Sequence, residues 1–267
     1  MMAVCSTGCP RGAAGSVASR RRVGAARLGG RSSRARGPRA ALFDAERQAE
    51  LVYFDAMGVL EVTRTLFAAV KMPFKDNRYK VEISDGKPAV ESRHAEDKEA
   101  GVFAANLNRL PLLVLPDGAV VGQSKAIERM VARELGLMGS TEVEAAQIDA
   151  YCEHVRDIRE AFAKARGTPF GPKNAETEEK LVKWFDEDMP NWMARLEKAT
   201  GDSGFAVGSK LSLADVALYI FLTQGISDQE RCKKTYAACP RISGIVSGVG
   251  ELEGVQMWLR DRPETMF

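Results

Sequence analysis

The spacing of apolar residues predicts a mixed α/β half that starts near residue 48. A short apolar strand at Glu50–Phe54 is followed by a helix with apolar positions every three or four residues. Residues Arg78–Ile83 then alternate between apolar and polar, which predicts a second, half-buried strand. Strand, helix and strand in this order indicate a βαβ unit. A polar loop over Ser84–Arg93 and a short helix over Ala95–Leu107 are expected next.

A β-hairpin and a helix complete this half. The apolar runs Leu112–Leu115 and Ala119–Val121 are separated by Pro-Asp-Gly, which is typical turn chemistry. Ser124 is predicted to be the N-cap of the next helix, whose positive end suits a carboxylate ligand. Leu110-Pro111 precedes the hairpin, where a cis X–Pro bond can turn a backbone edge outward. The whole order predicts a thioredoxin-like domain over residues 48–137.

Residues 140–265 show helical spacing alone and are expected to form an all-α domain. Thr141 begins a long helix, and a second helix over Glu176–Lys198 is predicted to bend at its proline. Ser212 and Asp215 form a capping box before a helix that is apolar all round, which predicts a helix at the centre of the domain. Two shorter helices are expected near Arg241–Val249 and Glu253–Leu259.

The distribution of charge separates the first residues from the rest. Nine arginines and no acidic residue precede Asp44. This segment, residues 1–45, is rich in Arg, Ala, Ser and Gly and is expected to be a disordered basic tail or a mitochondrial or plastid transit peptide. If it is not a transit peptide, we expect the protein to be cytoplasmic. Removing nine positive charges from a net charge of +2 leaves −7, which argues against nucleic-acid binding by the folded part. No apolar run is long enough to span a bilayer, so a soluble protein is expected.

Cysteine and histidine usage argues against a disulfide scaffold and a metal centre. Beyond the tail there are three cysteines, an odd number without a C-x-x-C pair, which indicates a reducing compartment. The two histidines, His94 and His154, have no partners spaced for a zinc site, and His154 is expected on a solvated helix surface. We expect no bound metal.

Several blocks of residues resemble the cytosolic-type glutathione transferases, most of all the sigma class, which includes glutathione-dependent prostaglandin D synthases. The resemblance covers about residues 50 to 265 and implies the fold predicted above. The matching blocks are Tyr53-Phe54-Asp55-x-x-Gly58-x-x-Glu61-x-x-Arg64, Asn108-Arg109-Leu110-Pro111, Gln123-Ser124-x-Ala126-Ile127-x-Arg129, Ser212-Leu213-Ala214-Asp215, Pro240-Arg241 and Trp258-Leu259-Arg260-Asp261-Arg262-Pro263.

The resemblance implies that Tyr53 is the catalytic residue. Its hydroxyl would donate a hydrogen bond to the sulfur of glutathione and stabilise the thiolate, whereas a tyrosine at a strand end is otherwise commonly a packing residue. Phe54, Ala56 and Val59 suggest an apolar wall for a second, hydrophobic substrate. Val59 stands where the class often has an arginine, so one polar contact near the thiol is lost.

The resemblance also implies how glutathione is held. Gln123 and Ser124 would bind the γ-glutamyl end, and the backbone of Leu110, before Pro111, would pair with the cysteinyl part. Asn108 and Arg109 would flank that contact, with Arg109 near the glycyl carboxylate. Asp157 would reach the glutathione of a neighbouring subunit, which requires a homodimer. Without the resemblance, Ser124 is a helix cap, and Arg109 and Asp157 are solvated.

The expected function is conjugation of glutathione, as co-substrate, to hydrophobic electrophiles, a detoxification reaction. The alternatives are a glutathione-dependent isomerase or peroxidase of the same fold, and a non-catalytic glutathione-binding or ligand-binding structural protein. The prostaglandin-synthase subset binds a divalent cation through acidic residues at the positions of Glu153, Arg156 and Asp157. Arg156 puts a positive charge there, which supports the prediction of no metal.

Overall fold

The computed structural model describes residues 41–84, 87–168 and 174–265, and its first half is built on a mixed sheet. The strands are β1 (Glu50–Phe54), β2 (Lys75–Tyr79), β3 (Val81–Ser84), β4 (Lys87–Val90), β5 (Leu112–Val114) and β6 (Val120–Gly122). The sheet order is β2-β1-β5-β6, with β1 parallel to β2 and antiparallel to β5. The antiparallel β5–β6 hairpin closes one edge. The thioredoxin-like prediction is confirmed.

The described helices make up most of the second half. They are α1 (Glu61–Ala69), α2 (Ser92–Glu99), α3 (Ser124–Glu134), α4 (Glu142–Arg166), α5 (Ala175–Lys183), α6 (Met189–Ala199), α7 (Leu213–Gln224), α8 (Gln229–Tyr236), α9 (Pro240–Gly250) and α10 (Glu253–Asp261). Every residue from Leu213 to Leu222 is buried, so α7 lies at the centre of the helical half, as predicted. None of these helices has the length and apolar composition needed to cross a bilayer.

Between β1 and β5 the predicted elements are partly wrong. The alternating stretch Arg78–Ile83 is not one strand: Tyr79 ends β2 in the core, whereas Ile83 belongs to β3 and is 37% exposed. The predicted polar loop contains β4, which pairs with β3 in a separate hairpin. The predicted helix Ala95–Leu107 is α2, followed by a single 3-10 turn at Ala104–Asn106. Helix α2 buries no residue, so it carries no apolar periodicity to locate it.

Two helical predictions also need correction. The predicted long helix Glu176–Lys198 is α5 and α6 joined by a π-helical turn at Trp184–Asp188, just before Pro190. The irregular turn lies just before Pro190, within a continuous helical backbone, which is where the missing N–H and the ring of a proline are expected to disturb a helix. Helix α8 was not predicted because it is strongly polar and buries just two residues, Cys232 and Tyr236.

The folded part begins before the predicted boundary at residue 45. Phe43 is 2% exposed, and its ring centroid lies 5.4 Å from that of Phe67. The backbone N–H of Leu42 donates to Oε1 of Glu134 at 2.5 Å. These contacts assign residues 42 and 43 to the core. The prediction for residues 1–40 lies outside the described residues.

The capping box that begins α7 is a fully buried polar site. Oδ2 of Asp215 accepts from the backbone N–H of Ser212 at 2.8 Å and from its hydroxyl at 2.7 Å. Oδ1 accepts from the backbone N–H of Ala206 at 2.6 Å. Burial raises the pKa of the Asp215 carboxyl, and these three donors oppose that rise. Asp215 therefore joins the start of the central helix to the preceding loop.

We expect Asp215→Ala to lower the free energy of unfolding by about 2–4 kcal/mol, because two buried N–H groups lose their acceptor. Urea unfolding at neutral pH measures this. The matched control is Asp228→Ala, which removes the exposed cap of α8 and should cost about 1 kcal/mol. Equal losses for the two variants would contradict the role assigned to Asp215.

Candidate functional site

Tyr53 lies near the end of β1 with its ring against Gly58. The side chain is half-buried, and in the described part of the chain its hydroxyl has no hydrogen-bond partner. Gly58 has φ +48°, and a Cβ there would lie 2.7 Å from Cε1 and 2.9 Å from the hydroxyl oxygen of Tyr53. Only glycine fits this backbone conformation without pushing the phenol away. Gly58 therefore sets how closely the ring approaches the backbone.

A buried arginine fixes the segment between Tyr53 and Gly58. Arg64 is fully buried in α1, and its Nη1 donates to the carbonyl oxygens of Ala56 at 2.7 Å and Met57 at 3.2 Å. Its Nε donates to Asp76 at 3.2 Å. Burial lowers the pKa of this guanidinium, and the Asp76 carboxylate opposes the shift. The loop after β1 is thus tied to α1 and β2.

Glu61 connects the same region to the end of the chain. It is 1% exposed, and its Oε1 accepts from Trp258 Nε1 at 2.8 Å and from Arg262 Nη1 at 2.6 Å. Its Oε2 lies 3.4 Å from Arg64 Nη1. Two arginines and an indole therefore satisfy one buried carboxylate, and through it α1 is held to α10.

The segment before β5 is fixed by Asn106. The Leu110-Pro111 peptide bond is cis, as expected. Nδ2 of Asn106, which is 4% exposed, donates to the carbonyl oxygens of Arg109 and Pro111, both at 3.0 Å. The sequence analysis predicted no role for Asn106. It lies in a segment without periodicity, and its contacts depend on the fold.

Gln123 and Ser124 lie where β6 meets α3. Gln123 is the N-cap, with φ +70°, and Ser124 is the first residue of the helix, so the predicted cap is one residue too late. The Gln123 side chain makes no capping hydrogen bond. Both side chains therefore lie at the positive end of α3, and neither makes a capping hydrogen bond.

Strand register brings three predicted site segments to one end of the sheet. Val52 of β1 pairs with Leu112 of β5, and Leu112 pairs with Gly122 of β6. The next residues at that end are Tyr53, Pro111 and Gln123. Neighbouring strands lie about 4.8 Å apart, so this row spans about 10 Å.

Other predicted residues lie elsewhere. The Phe54 ring centroid lies 5.3 Å from that of Tyr53 and 5.4 Å from that of His94. Asn108 and Arg109 are exposed beside the cis peptide, and Asp157 is exposed on α4. Ala56 is buried and Val59 is half-buried, both in the loop and turn after β1.

A cavity of about 420 Å³ lies beside Gly58, between the two halves. Met57, Gly58 and Glu61 form one side, and α4 and α7 form the other. The second side includes Arg159, Arg166 and Phe221. Gly58 lines the cavity, and a Cβ at the same residue would meet the Tyr53 ring, so the cavity and the phenol both lie next to Gly58.

The cysteines and acidic residues of the described part show no arrangement suited to a metal. Cys152, Cys232 and Cys239 are free and buried, and burial raises the pKa of the Cys152 and Cys232 thiols to about 12. No group of three or more His, Cys, Asp or Glu side chains within the described ranges could hold an ion. Arg156 forms ion pairs with Glu153 and Glu160.

This chain resembles known proteins in both fold and sequence. The family model described as "Glutathione S-transferase, C-terminal domain" matches residues 156–262. A probable glutathione S-transferase 5 of Caenorhabditis elegans is 30% identical, over 82% of this chain and 98% of its own. The hematopoietic prostaglandin D synthase of Gallus gallus is 28% identical, over 81% and 97%. The crystal structure of the Ascaris lumbricoides glutathione S-transferase superposes with a TM-score of 0.61, at 28% identity, over 82% and 100%.

A thioredoxin-like half followed by an all-α half, with these relatives, places the chain in the glutathione S-transferase family of enzymes. Within that family it is a cytosolic-type, sigma-like member.

The contact between Gly58 and Tyr53 can be tested with two glycine variants. Gly58→Ala and Gly101→Ala both place a side chain at positive φ, which costs about 1–2 kcal/mol. No atom lies within 4 Å of a Cβ at Gly101, so Gly58→Ala alone also displaces the phenol and should lose about 1–3 kcal/mol more. Urea unfolding measures the difference, and Tyr53 ring resonances should shift in Gly58→Ala alone. Similar losses and spectra in both variants would argue against the contact.

Proposed function

We propose that this protein conjugates glutathione to hydrophobic electrophiles at the end of the sheet where Tyr53, Pro111 and Gln123 lie side by side. The observation that carries the proposal is the register of β1, β5 and β6, which aligns these residues in one row. The Tyr53 hydroxyl, which has no hydrogen-bond partner among the described residues, lies next to Gly58 at one end of the row, and the start of α3 lies at the other end.

Tyr53 acts by stabilising the glutathione thiolate. A free thiol has a pKa of about 8.5 and is mostly protonated at neutral pH. A hydrogen bond from the Tyr53 hydroxyl to the charged sulfur contributes about 1.5–3 kcal/mol, which lowers the thiol pKa by about one to two units. The thiolate then forms a carbon–sulfur bond with the electrophile, and a leaving group such as halide departs with its electron pair. No base is required.

Glutathione spans the row in an extended conformation. Gln123 and Ser124 bind the γ-glutamyl carboxylate at the positive end of α3, and the Leu110 backbone pairs with the cysteinyl part beside Pro111. The exposed side chains of Asn108 and Arg109 lie on the glycyl side. Asp157 extends from α4 to the glutathione of a second subunit, so the active unit is a homodimer. No metal takes part.

The thioredoxin-like residues 48–137 bind glutathione, and the helical residues 140–265 supply the other wall of the second-substrate pocket. Phe54, Ala56 and Val59 belong to the first wall, and Met57, which lines the cavity, joins them from the same loop.

The second candidate is a glutathione-dependent isomerase. The observation that favours it is the similarity to a prostaglandin D synthase over 97% of that protein. The same thiolate would attack one endoperoxide oxygen, which breaks the O–O bond and leaves the other oxygen as an alkoxide that takes up a proton. Loss of the proton from the carbon that bears the sulfur-linked oxygen then forms a ketone and expels the thiolate, so Tyr53 serves both reactions. Assaying the purified chain with both substrate types separates them.

We expect Tyr53→Phe to retain glutathione binding and lose most of the conjugation of a generic aryl halide at neutral pH. The pH midpoint of kcat/KM should rise by about one to two units, because the thiolate loses one charged hydrogen bond. The control is Tyr236→Phe, which removes a hydroxyl from α8 and should leave the profile unchanged. An unaltered profile in Tyr53→Phe, or failure of the parent protein to bind immobilised glutathione, would refute the proposal.

The Arg-rich residues 1–45 are proposed to direct the protein to a mitochondrion or plastid, and the protein is cytoplasmic if they do not. Imaging this segment fused to a fluorescent protein tests the proposal, and organellar fluorescence is the expected result. A variant with the nine arginines changed to glutamine should lose that localisation. A diffuse cytosolic signal from the unaltered segment would reject a transit peptide.

A further inference from the structure

Two arginines of α4 face the cavity beside Gly58. Arg159 and Arg166 are seven residues apart, which is close to two helical turns, so both lie on one face of α4. Their Cα atoms are separated by about 10 Å along the helix axis. Both side chains are half-buried, so their charges are partly shielded from solvent.

These two charges lack carboxylate partners in the described part of the chain. Neither arginine forms an ion pair there, and Nε of Arg166 is buried without a hydrogen-bond partner. Its Cζ lies 5.7 Å from the centroid of the Phe162 ring. Leaving a buried donor unpaired is unfavourable. A ligand that accepts a hydrogen bond would remove that cost.

Nearby carboxylates are already bound to other cations. Glu61, in the same cavity, is held by Arg64, Arg262 and Trp258. Both oxygens of Glu128, on α3, accept from Lys125 at 2.9 Å. The charge of Arg159 opposes the rise that burial causes in the pKa of the Glu128 carboxyl, but the two side chains form no ion pair. The cavity therefore has unneutralised positive charge on its α4 side.

The remaining surface of the cavity has an apolar part and a polar part, the latter formed by Gln224 and Ser227. Met57 on the loop after β1 and Ile220 and Phe221 on α7 line the apolar part. Its volume, about 420 Å³, is within the range of small-molecule sites. An uncharged aromatic ligand would fill this space but leave the Arg166 Nε unsatisfied. A molecule with an apolar body and an anionic end matches both parts.

We propose that the second substrate is an apolar electrophile bearing a carboxylate, which Arg159 and Arg166 bind while its reactive carbon faces Gly58 and the Tyr53 phenol. This inference rests on the proposed conjugation function. In an addition to an enone, sulfur bonds to the β-carbon, the alkene pair moves to the α-carbon, and water protonates that carbon. The carboxylate is unchanged and serves to orient the substrate.

A matched pair of electrophiles tests the proposal on the full-length protein. One is an aryl vinyl ketone carrying an oxyacetate arm, and the other is its methylamide. The ring and ether insulate the enone from the arm, and rates without enzyme correct for remaining differences in reactivity. Saturated, unreactive analogues of both compounds are titrated by calorimetry, which measures binding independently of turnover.

The acid should be preferred over the amide by about tenfold in kcat/KM, because a charged hydrogen bond contributes roughly that factor. Arg159→Gln and Arg166→Gln should each remove much of this preference while changing the amide rate less than about twofold, and Arg166→Lys should keep part of it. The control Arg156→Gln makes the same change on the exposed part of α4 and should keep the preference.

Equal kcat/KM values of the parent protein for the acid and the amide would overturn the inference. A raised KM for glutathione in the two variants, with the acid preference intact, also overturns it, because the arginines would then bind glutathione. If neither ketone is turned over but the saturated acid binds more tightly through Arg159 and Arg166, the anion site stands and the conjugation function fails.

Discussion

The buried guanidinium of Arg64 is the contact on which the candidate site depends most. It lies inside α1 and donates to two backbone carbonyls of the loop that follows β1. A loop carbonyl without such a donor would have to be solvated or left unpaired. The charge itself is tolerated because Asp76 and Glu61 lie beside it. The position of Gly58, and hence of the Tyr53 ring, follows from this arrangement.

The same network joins the two halves of the fold. Glu61 contacts Arg64 on one side and Trp258 and Arg262 on the other, so the end of the chain is bonded to the start of α1. The network also reaches α7, because Arg262 donates to Gln224 at 2.7 Å, so the cavity is bounded on its α1 and α7 sides by elements of one hydrogen-bond network. A change in the helical half can thus reach the loop that carries Gly58 through Glu61.

Local chemistry made part of this structure predictable from the sequence. The β5–β6 hairpin, the cis bond at Pro111 and the capping box at Asp215 depend on a few neighbouring residues, and all three are present. The β3–β4 hairpin and α8 were missed because they bury too few apolar residues to produce a period.

The residues of the site were predictable to different degrees. Asn106 was missed because its two acceptors come together only in the folded chain. Strand alternation alone does not place Phe54: adjacent strand residues point to opposite faces, yet the ring centroids of Phe54 and Tyr53 lie 5.3 Å apart. The arginines of the cavity look like surface charges in the sequence, because the absence of a carboxylate partner can be judged only from tertiary contacts.

The burial of Cys152, Cys232 and Cys239 has a further consequence for a protein that handles a thiol. Exchange with a disulfide requires an accessible thiolate, and burial denies these side chains both the charge and the access. Oxidised glutathione would therefore find no ready partner among the three, even at high concentration. These three thiols therefore stay protonated and inaccessible at neutral pH.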